Sequence, residues 1–571
     1  MDLNLKIKKE ITSLLAKQKI KIKPEDLETP PSAEMGDFGM PCFNLAKTWK
    51  KSPAVVAKDL ADQIKPAGLI VNVKNIGPYL NFMIDSSQVG ELALKEIAKQ
   101  KNKYGQSKLG KGVKVMIEYS QPNTHKELHV GHLRNICIGS ALVNIYKNCD
   151  YKVVAANYIG DTGAHVAKTL WYLQSYVNQT DYPHGKRELG EFLGQSYTRA
   201  VAEIEEHPEF KDQAQEILKK LENGDKDLTN LWKQTRAWSL DLFMEVYKDL
   251  GVKFDVIFYE SEEEKDGKKM LPKLLKFPFI KKSEGAIIAD LDKYNLGILV
   301  LVRKDGTALY GIKDIPLAVK KFTKYKVKKS LYIIDVRQSQ YLQQIFKILE
   351  LMGFNKDMIH VPYEFVQLKS GIISSRTGNV VTYEEVKAAA MNKVVNETQK
   401  RHADWPEIKI QETSEKIVMA ALKFGMLKSG NDKIITFDLE EALDTQGFTG
   451  PYLQYTLARI NSIFKKEGEC KACKALKPDY KNLAGNIEKV LIKEITQYPE
   501  ITEQVVRTND PSGLAQYLYK LAQDFNAFYH ELPILKAEPE IKIVRLALIG
   551  AVRQVLINGL ELLGIPTLEE M

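Results

Sequence analysis

The run Asn123, Thr124, His125, Lys126, Glu127, Leu128, His129, Val130, Gly131, His132 carries the densest chemistry in this 571-residue chain. Strand-like residues lead up to Tyr119 and helical patterning begins near Leu128, so His129 and His132 fall in a first helical turn, on one face. A helix amino terminus at the carboxyl edge of a sheet is an anion site, because unpaired N–H groups and the helix dipole both favour phosphate. Gly131 leaves room for a flat purine or a phosphate to approach the backbone, and two imidazoles can donate to charge that grows during phosphoryl displacement. This chemistry fits ATP. Other readings of the motif stay open. His125, His129 and His132 stand at offsets of four and three, a spacing that could converge on a metal, but no nearby carboxylate completes a ligand set and no bound metal is assigned. Surface histidines at a helix start fit the four-residue motif as well.

Such residues need a sheet edge to stand on. From Val113 short apolar strands, at 113–119, 153–158, 298–303 and 331–336, alternate with amphipathic helices, which is the pattern of a parallel sheet covered on both faces. This α/β core is expected over 112–410. A stretch from about 178 to 260, rich in Glu, Lys and Leu at helical spacing, reads as a helical insertion between the halves of the sheet. Residues 1–105 form a small separate α/β module, with a strand pair around Gly77 and Pro78. From 411 to 571 apolar residues recur at three- and four-residue intervals, and an all-α domain is expected.

Context sharpens the motif. The run 117–134, including Glu118, Asn123, Lys126, His129, Gly131, His132 and Arg134, resembles the signature of the arginyl-tRNA synthetases, a class I aminoacyl-tRNA synthetase family. A second match is Asn157, Tyr158, Ile159, Gly160, Asp161, Thr162, Gly163. A third covers 447–463, where Gly447, Pro451, Tyr452, Tyr455 and Arg459 look like that family's anticodon-domain helix. The resemblance spans the chain. It implies a Rossmann-type catalytic domain, an N-terminal module that touches the tRNA body and a helical anticodon-binding domain. It also implies activation of L-arginine with ATP, Mg2+ accompanying the ATP, and transfer to the 3′ end of tRNA(Arg), with tRNA required even for the first step.

A site for arginine needs carboxylate and planar acceptors around a guanidinium, whose five fixed N–H donors must be satisfied when the charge leaves water. The resemblance places Glu118, Asn123, Tyr310, Asp314 and Gln338 there, with Asp314 facing the guanidinium. Taken without the resemblance, Asp314 lies two residues before Pro316, the pattern of a helix N-cap. A polar pocket of this kind rejects substrates lacking the matching groups by about 10⁴ or more, so the insertion is expected to be structural or RNA-contacting rather than an editing domain.

The second class I signature, a lysine-rich loop, is altered here. Within a loop region of about 365–385, Ile372 and Ser375 stand where its lysines are due, while Ser374, Ser375 and Arg376 keep hydroxyls and one charge. Lys126 and Arg376 are expected to share the missing lysine's role at the phosphates. For tRNA, the resemblance assigns Tyr79, Asn81 and Phe82 in the N-terminal module and Tyr452, Tyr455 and Arg459 in the tail, where Phe525, Phe528, Tyr529 and His530 also cluster. The six lysines from Lys320 to Lys329 read instead as a solvated helix end.

Bulk properties agree with this picture. The net charge of +9 permits an anionic partner, and 44% hydrophobic with 27% charged residues is the composition of an ordinary globular chain. No uninterrupted apolar run reaches bilayer length, so no membrane partner is expected. No signal-peptide core opens the chain, and a cytoplasmic monomer is expected. The five cysteines are read as reduced thiols, and the Cys470 and Cys473 pair, lacking a second pair, as incidental.

Overall fold

The structure, a computed structural model, describes residues 3–304, 306, 309–369, 381–468, 478–483 and 485–571. At the N-terminus the helix Leu3–Lys17 buries Ile7, Ile11, Leu14 and Leu15 at helical spacing. It precedes an antiparallel sheet of β1 (Phe38–Pro41), β2 (Ile70–Ile76) and β3 (Tyr79–Ile84), in the order β1-β3-β2. The turn between β2 and β3 holds Gly77 at φ +55°, a left-handed conformation that glycine adopts without steric cost.

The central sheet begins with β4 (Lys114–Glu118), β5 (Lys152–Ile159) and β6 (Val256–Tyr259). Between β5 and β6 the chain leaves the sheet and forms the helices Lys186–Glu206, Phe210–Glu222 and Lys226–Asp249. Next come β7 (Ile280–Ser283), β8 (Ala286–Asp290) and β9 (Ile298–Val302), which make a separate antiparallel sheet. The 298–303 segment is therefore a strand, but not of the parallel sheet: its partner is β8, which gives an apolar run a second place to pair. The parallel sheet resumes with β10 (Lys329–Asp335) and β11 (Asp357–Tyr363). Its order is β11-β10-β4-β5-β6, all parallel.

That order reverses direction between β4 and β10. In open α/β sheets such a switch point leaves a crevice at the carboxyl ends of the strands, and ligands bind there. The helix Val130–Asn148 follows β4, and the helix Tyr310–Thr323 precedes β10, so both the histidines and Asp314 are delivered to this crevice.

A small parallel pair, β12 (Val366–Leu368) and β13 (Ile435–Phe437), lies beyond the sheet. Arg134 of the histidine helix, fully buried, donates to the carbonyls of Glu364, Gly430 and Lys433 at 2.5, 3.0 and 2.8 Å, and so pins that helix to this pair and its flanking turn. The remainder is helical, ending in the packed helices Gly450–Glu467, Asn486–Thr508, Ser512–Glu531 and Pro539–Leu562. The last is long and apolar enough to cross a bilayer by length and composition. Here it is a core helix, with Val544, Leu548, Val552, Val555 and Leu556 buried among its neighbours. Cys42, Cys137 and Cys149 are buried free thiols, while Cys470 and Cys473 lie outside the described residues.

Candidate active site

His129 is the N-cap of the helix Val130–Asn148, one residue before its first turn. Its Nδ1 accepts from the Gly131 N–H at 3.0 Å, and its own N–H donates to His132 Nδ1 at 3.2 Å. The two rings, with centroids 3.9 Å apart, therefore cap the helix reciprocally, as a serine and glutamate do in a capping box. Burial, helped by the charge of Lys126, lowers His129 to about 4 and His132 well below the usual histidine range. Both imidazoles are neutral at pH 7. With each Nδ1 accepting, the proton of each ring sits on Nε2, which gives two fixed Nε2–H donors. A Cβ on Gly131 would come within 2.8 Å of the His129 ring, so the close approach this glycine permits is that of the imidazole.

His125 does not join them. It is fully buried, with Nδ1 3.0 Å from Thr124 Oγ1 and Nε2 2.8 Å from Thr235 Oγ1. Both ring nitrogens are committed, Nδ1 within the loop and Nε2 to the helix Lys226–Asp249, and among the described residues no group of His, Cys, Asp and Glu could hold a metal ion. Lys126 is half-buried, its Nζ 4.4 Å from the centre of the Tyr197 ring of the insertion. Asn123 is exposed and bridges to Gly160, where a Cβ would stand 2.2 Å from Asn123 Oδ1 and displace that side chain. Ser374, Ser375 and Arg376 lie outside the described residues.

Across the crevice, Asp314 sits inside the helix Tyr310–Thr323, whose N-cap is Leu309. The capping reading of Asp314 is thereby excluded, since Pro316 is itself within the helix. Asp314 Oδ2 accepts from the Tyr341 hydroxyl at 2.5 Å and Tyr158 also helps hold the carboxylate charged, while Oδ1 is buried and makes no hydrogen bond of good geometry. Burial, with Glu118 adding repulsion, pushes this carboxyl up to about 6. Tyr310, 63% exposed, stands at the mouth, and Gln338 is exposed at the N-cap of the helix Ser339–Leu351.

Glu118 has a different setting. It is buried and ion-paired at 2.7 Å with Lys321, which is buried too. Lys321 is thus no solvated lysine, and Lys320 beside it is committed to Glu263 and Asp266 at 2.7 and 2.9 Å. Sequence reasoning also passed over Tyr341 and Glu260. The Glu260 carboxyl, raised to about 7 by burial, lies 3.5 Å from Lys313 Nζ. The seven-residue spacing of Asp314 and Lys321, two helical turns, was the signal that could have found the lysine.

The aromatic surfaces sort by burial. Asn81 and Phe82 are 3% and 0% exposed, turned into the N-terminal module's core, and their side chains have no surface for RNA. Tyr79 keeps some, edge-on to the exposed ring of Phe43 at 5.9 Å. In the tail Phe525 and Phe528 are fully buried. Arg459 lies 4.8 and 5.1 Å from the ring centres of Tyr455 and Tyr529, both exposed, and is held by Asn526 Oδ1 at 2.5 Å. These three residues line a cavity of about 630 Å³ that also includes Lys466, His530 and Met571. Tyr452, half-buried, shares Asn526 with Arg459, its hydroxyl accepting from the amide at 2.8 Å.

Family models match the chain in three parts. Residues 2–84 match the arginyl tRNA synthetase N terminal domain, 93–438 the class I (R) tRNA synthetase catalytic domain, and 453–571 the DALR anticodon binding domain. The chain belongs to the class I arginyl-tRNA synthetase family. The arginine–tRNA ligase of Bdellovibrio bacteriovorus is 37% identical over 95% of this chain and 94% of its own length. That of Clostridioides difficile is 35% identical over 95% of each. The arginyl-tRNA synthetase of Thermus thermophilus shares the fold with a TM-score of 0.84 at 28% identity, covering 99% of both chains. The family's reaction is this chain's: arginine is activated with ATP and joined to tRNA.

Proposed function

We propose that the crevice between β4 and β10 divides the reaction between two walls. On the histidine wall, the Nε2–H groups of His129 and His132 donate to ATP phosphate oxygens, and the Gly131 backbone holds them in register. Lys126 supplies cationic charge from the same side, sharing with Arg376 the part of the lysine absent from the second signature. The ATP enters as its Mg2+ complex, the metal belonging to the nucleotide.

On the opposite wall the Asp314 carboxylate receives the guanidinium of arginine. The observation that carries this is its unpartnered, buried Oδ1: such an atom costs free energy unless a donor arrives, and a guanidinium brings donors and the opposite charge together. Tyr341 fixes the other oxygen, so the carboxylate is oriented in advance. Tyr310 covers the side chain from the mouth, and Asn123 and Gln338, both exposed at the crevice, hold the amino and carboxylate end. Glu118 serves from below, through its ion pair. The arginine carboxylate attacks the α-phosphorus of ATP, pyrophosphate leaves, and the adenylate passes arginine to the terminal ribose of tRNA.

The tRNA lies along Tyr79 and Phe43 of the N-terminal module and places its anticodon bases on Tyr455, Arg459 and Tyr529. Stacking on exposed rings and charge toward phosphate support this reading. The insertion 178–260 contributes structure to the catalytic loop and no hydrolytic site. The enzyme works as a monomer in the cytoplasm, where its tRNA and ATP are found. Asp314→Asn tests the central assignment: the KM for arginine rises at least about thirtyfold, with that for ATP within about twofold, as expected for loss of a buried charge partner. An unchanged arginine KM would remove Asp314 from the site.

A further inference from the structure

Near Asp314 two further buried charges meet. Glu118, the last residue of β4, and Lys321 of the helix Tyr310–Thr323 are 2% and 1% exposed, and their charges meet at 2.7 Å. The Lys321 ammonium also sits 3.9 Å from the centre of the Tyr332 ring, and Tyr332 is the residue paired with Glu118 across β10 and β4. The lysine is therefore held from two sides, by a carboxylate and by an aromatic face.

The groups around Asp314 explain why a cation is needed there. It faces Tyr158 of β5, Tyr341 of the helix Ser339–Leu351, Glu118 of β4 and Glu260 of the helix Glu260–Leu274, with Tyr310 and Lys321 on its own helix. Lys313, also on that helix, is occupied by Glu260 and Glu264 at 3.5 and 3.4 Å. Two carboxylates buried side by side cannot both ionise unless a cation compensates one of them. Lys321 is positioned to compensate Glu118.

We propose that Lys321 is a positioning residue for arginine: by neutralising Glu118 it leaves Asp314 as the uncompensated carboxylate that the guanidinium meets. This rests on the reading of Asp314 given above. Without the lysine, the Asp314 carboxyl faces an uncompensated Glu118 charge and holds its proton to higher pH, so the guanidinium meets a carboxyl that is partly neutral. Raising the pH removes that proton and restores the site.

The test uses the full chain in tRNA charging, with arginine and ATP KM values taken between pH 6.5 and 9 for Lys321→Met, Lys321→Arg and Asp314→Asn. Lys321→Met raises the arginine KM at least about tenfold at pH 7, recovers most of it by pH 9, and leaves the ATP KM within about twofold. Lys321→Arg, which keeps the charge, stays within about threefold throughout. An arginine KM in Lys321→Met close to the parent's, or a loss equal at every pH, overturns the proposal. If Lys321→Met does not fold, Lys321→Gln, which keeps an uncharged polar head beside Glu118, takes its place: an arginine KM raised at pH 7 and largely recovered by pH 9 supports the proposal, and a parental KM or a loss equal at every pH overturns it. Asp314→Asn separates the two claims: if it is harmless the site reading fails, and if it alone is harmful only the role of Lys321 fails.

Discussion

His129 and Thr382 face each other across an antiparallel β-bridge, flanked by Tyr383 N–H donating to the Leu128 carbonyl at 2.8 Å and Val130 N–H to that of Val381 at 3.4 Å. The histidine motif and the segment that follows the second signature are thus one hydrogen-bonded unit. Thr382 also caps the helix Tyr383–Arg401: Glu385 N–H donates to its Oγ1 at 3.2 Å, and Glu385 Oε2 accepts from its N–H at 2.9 Å. Thr382→Ala is expected to cost about 1 kcal/mol locally. Faster amide exchange at 383–386 and a several-fold lower kcat, with unchanged substrate KM values, are the readouts. Unchanged exchange there would mean that the cap is not holding the unit.

The imidazoles of His129 and His132 act as neutral donors. Burial keeps both deprotonated down to about pH 4 for His129 and lower for His132, so kcat is expected to show no inflection from them between pH 6 and 9. His129→Ala and His132→Ala each lower kcat about 10²- to 10³-fold, the loss seen when a fixed donor to transition-state charge is removed. An acid limb near pH 6.5 that vanishes in His132→Ala would assign the proton differently.

Lys126→Ala separates charge supply from structure. Its ammonium rests over Tyr197 rather than in a buried ion pair, so its loss leaves the fold intact. The expected result is an adenylation rate at least about tenfold lower with the arginine KM unchanged, as for a group acting mainly on the transition state. A rate within a few fold of the parent's would leave the phosphates to other cations.

Tyr529→Ala and Arg459→Ala act on RNA alone. Removing one stacking surface costs about 1–3 kcal/mol per base, so the KM for tRNA rises about tenfold or more while the arginine KM holds. Equal changes in both constants would argue for a structural role of this cluster instead.

Much of this arrangement was legible in the sequence. The strands at β4, β5 and β10 are short apolar runs, and parallel strands buried on both faces have to be. The strand β6 was hidden because it is four residues long and lies inside the stretch read as the helical insertion, and β11 because Asp357, His360 and Pro362 interrupt its apolar character. Lys321 was misjudged for a physical reason: a lysine run looks solvated, and nothing in one dimension shows that Glu118, some 200 residues earlier, lies 2.7 Å away. Asn81 and Phe82 were misjudged similarly: consecutive residues of β3 point to opposite faces, and in the fold both faces are covered. The histidine pair was found at once, but its mutual capping, and the reason for Gly131, needed the geometry.

The central claim is that an ionised Asp314 receives the guanidinium, and calorimetric titration of arginine into the enzyme from pH 5 to 8 tests it most directly. The carboxyl must lose its proton to pair, and burial sets that loss at about 6. Affinity is therefore full well above pH 6 and falls about tenfold for each pH unit below it. Glu260, raised to about 7, titrates in the same window, so Asp314→Asn is measured alongside. The account predicts weak binding in that variant without the fall around pH 6. Parental affinity in Asp314→Asn, or a parental titration flat from pH 5 to 8, would contradict it.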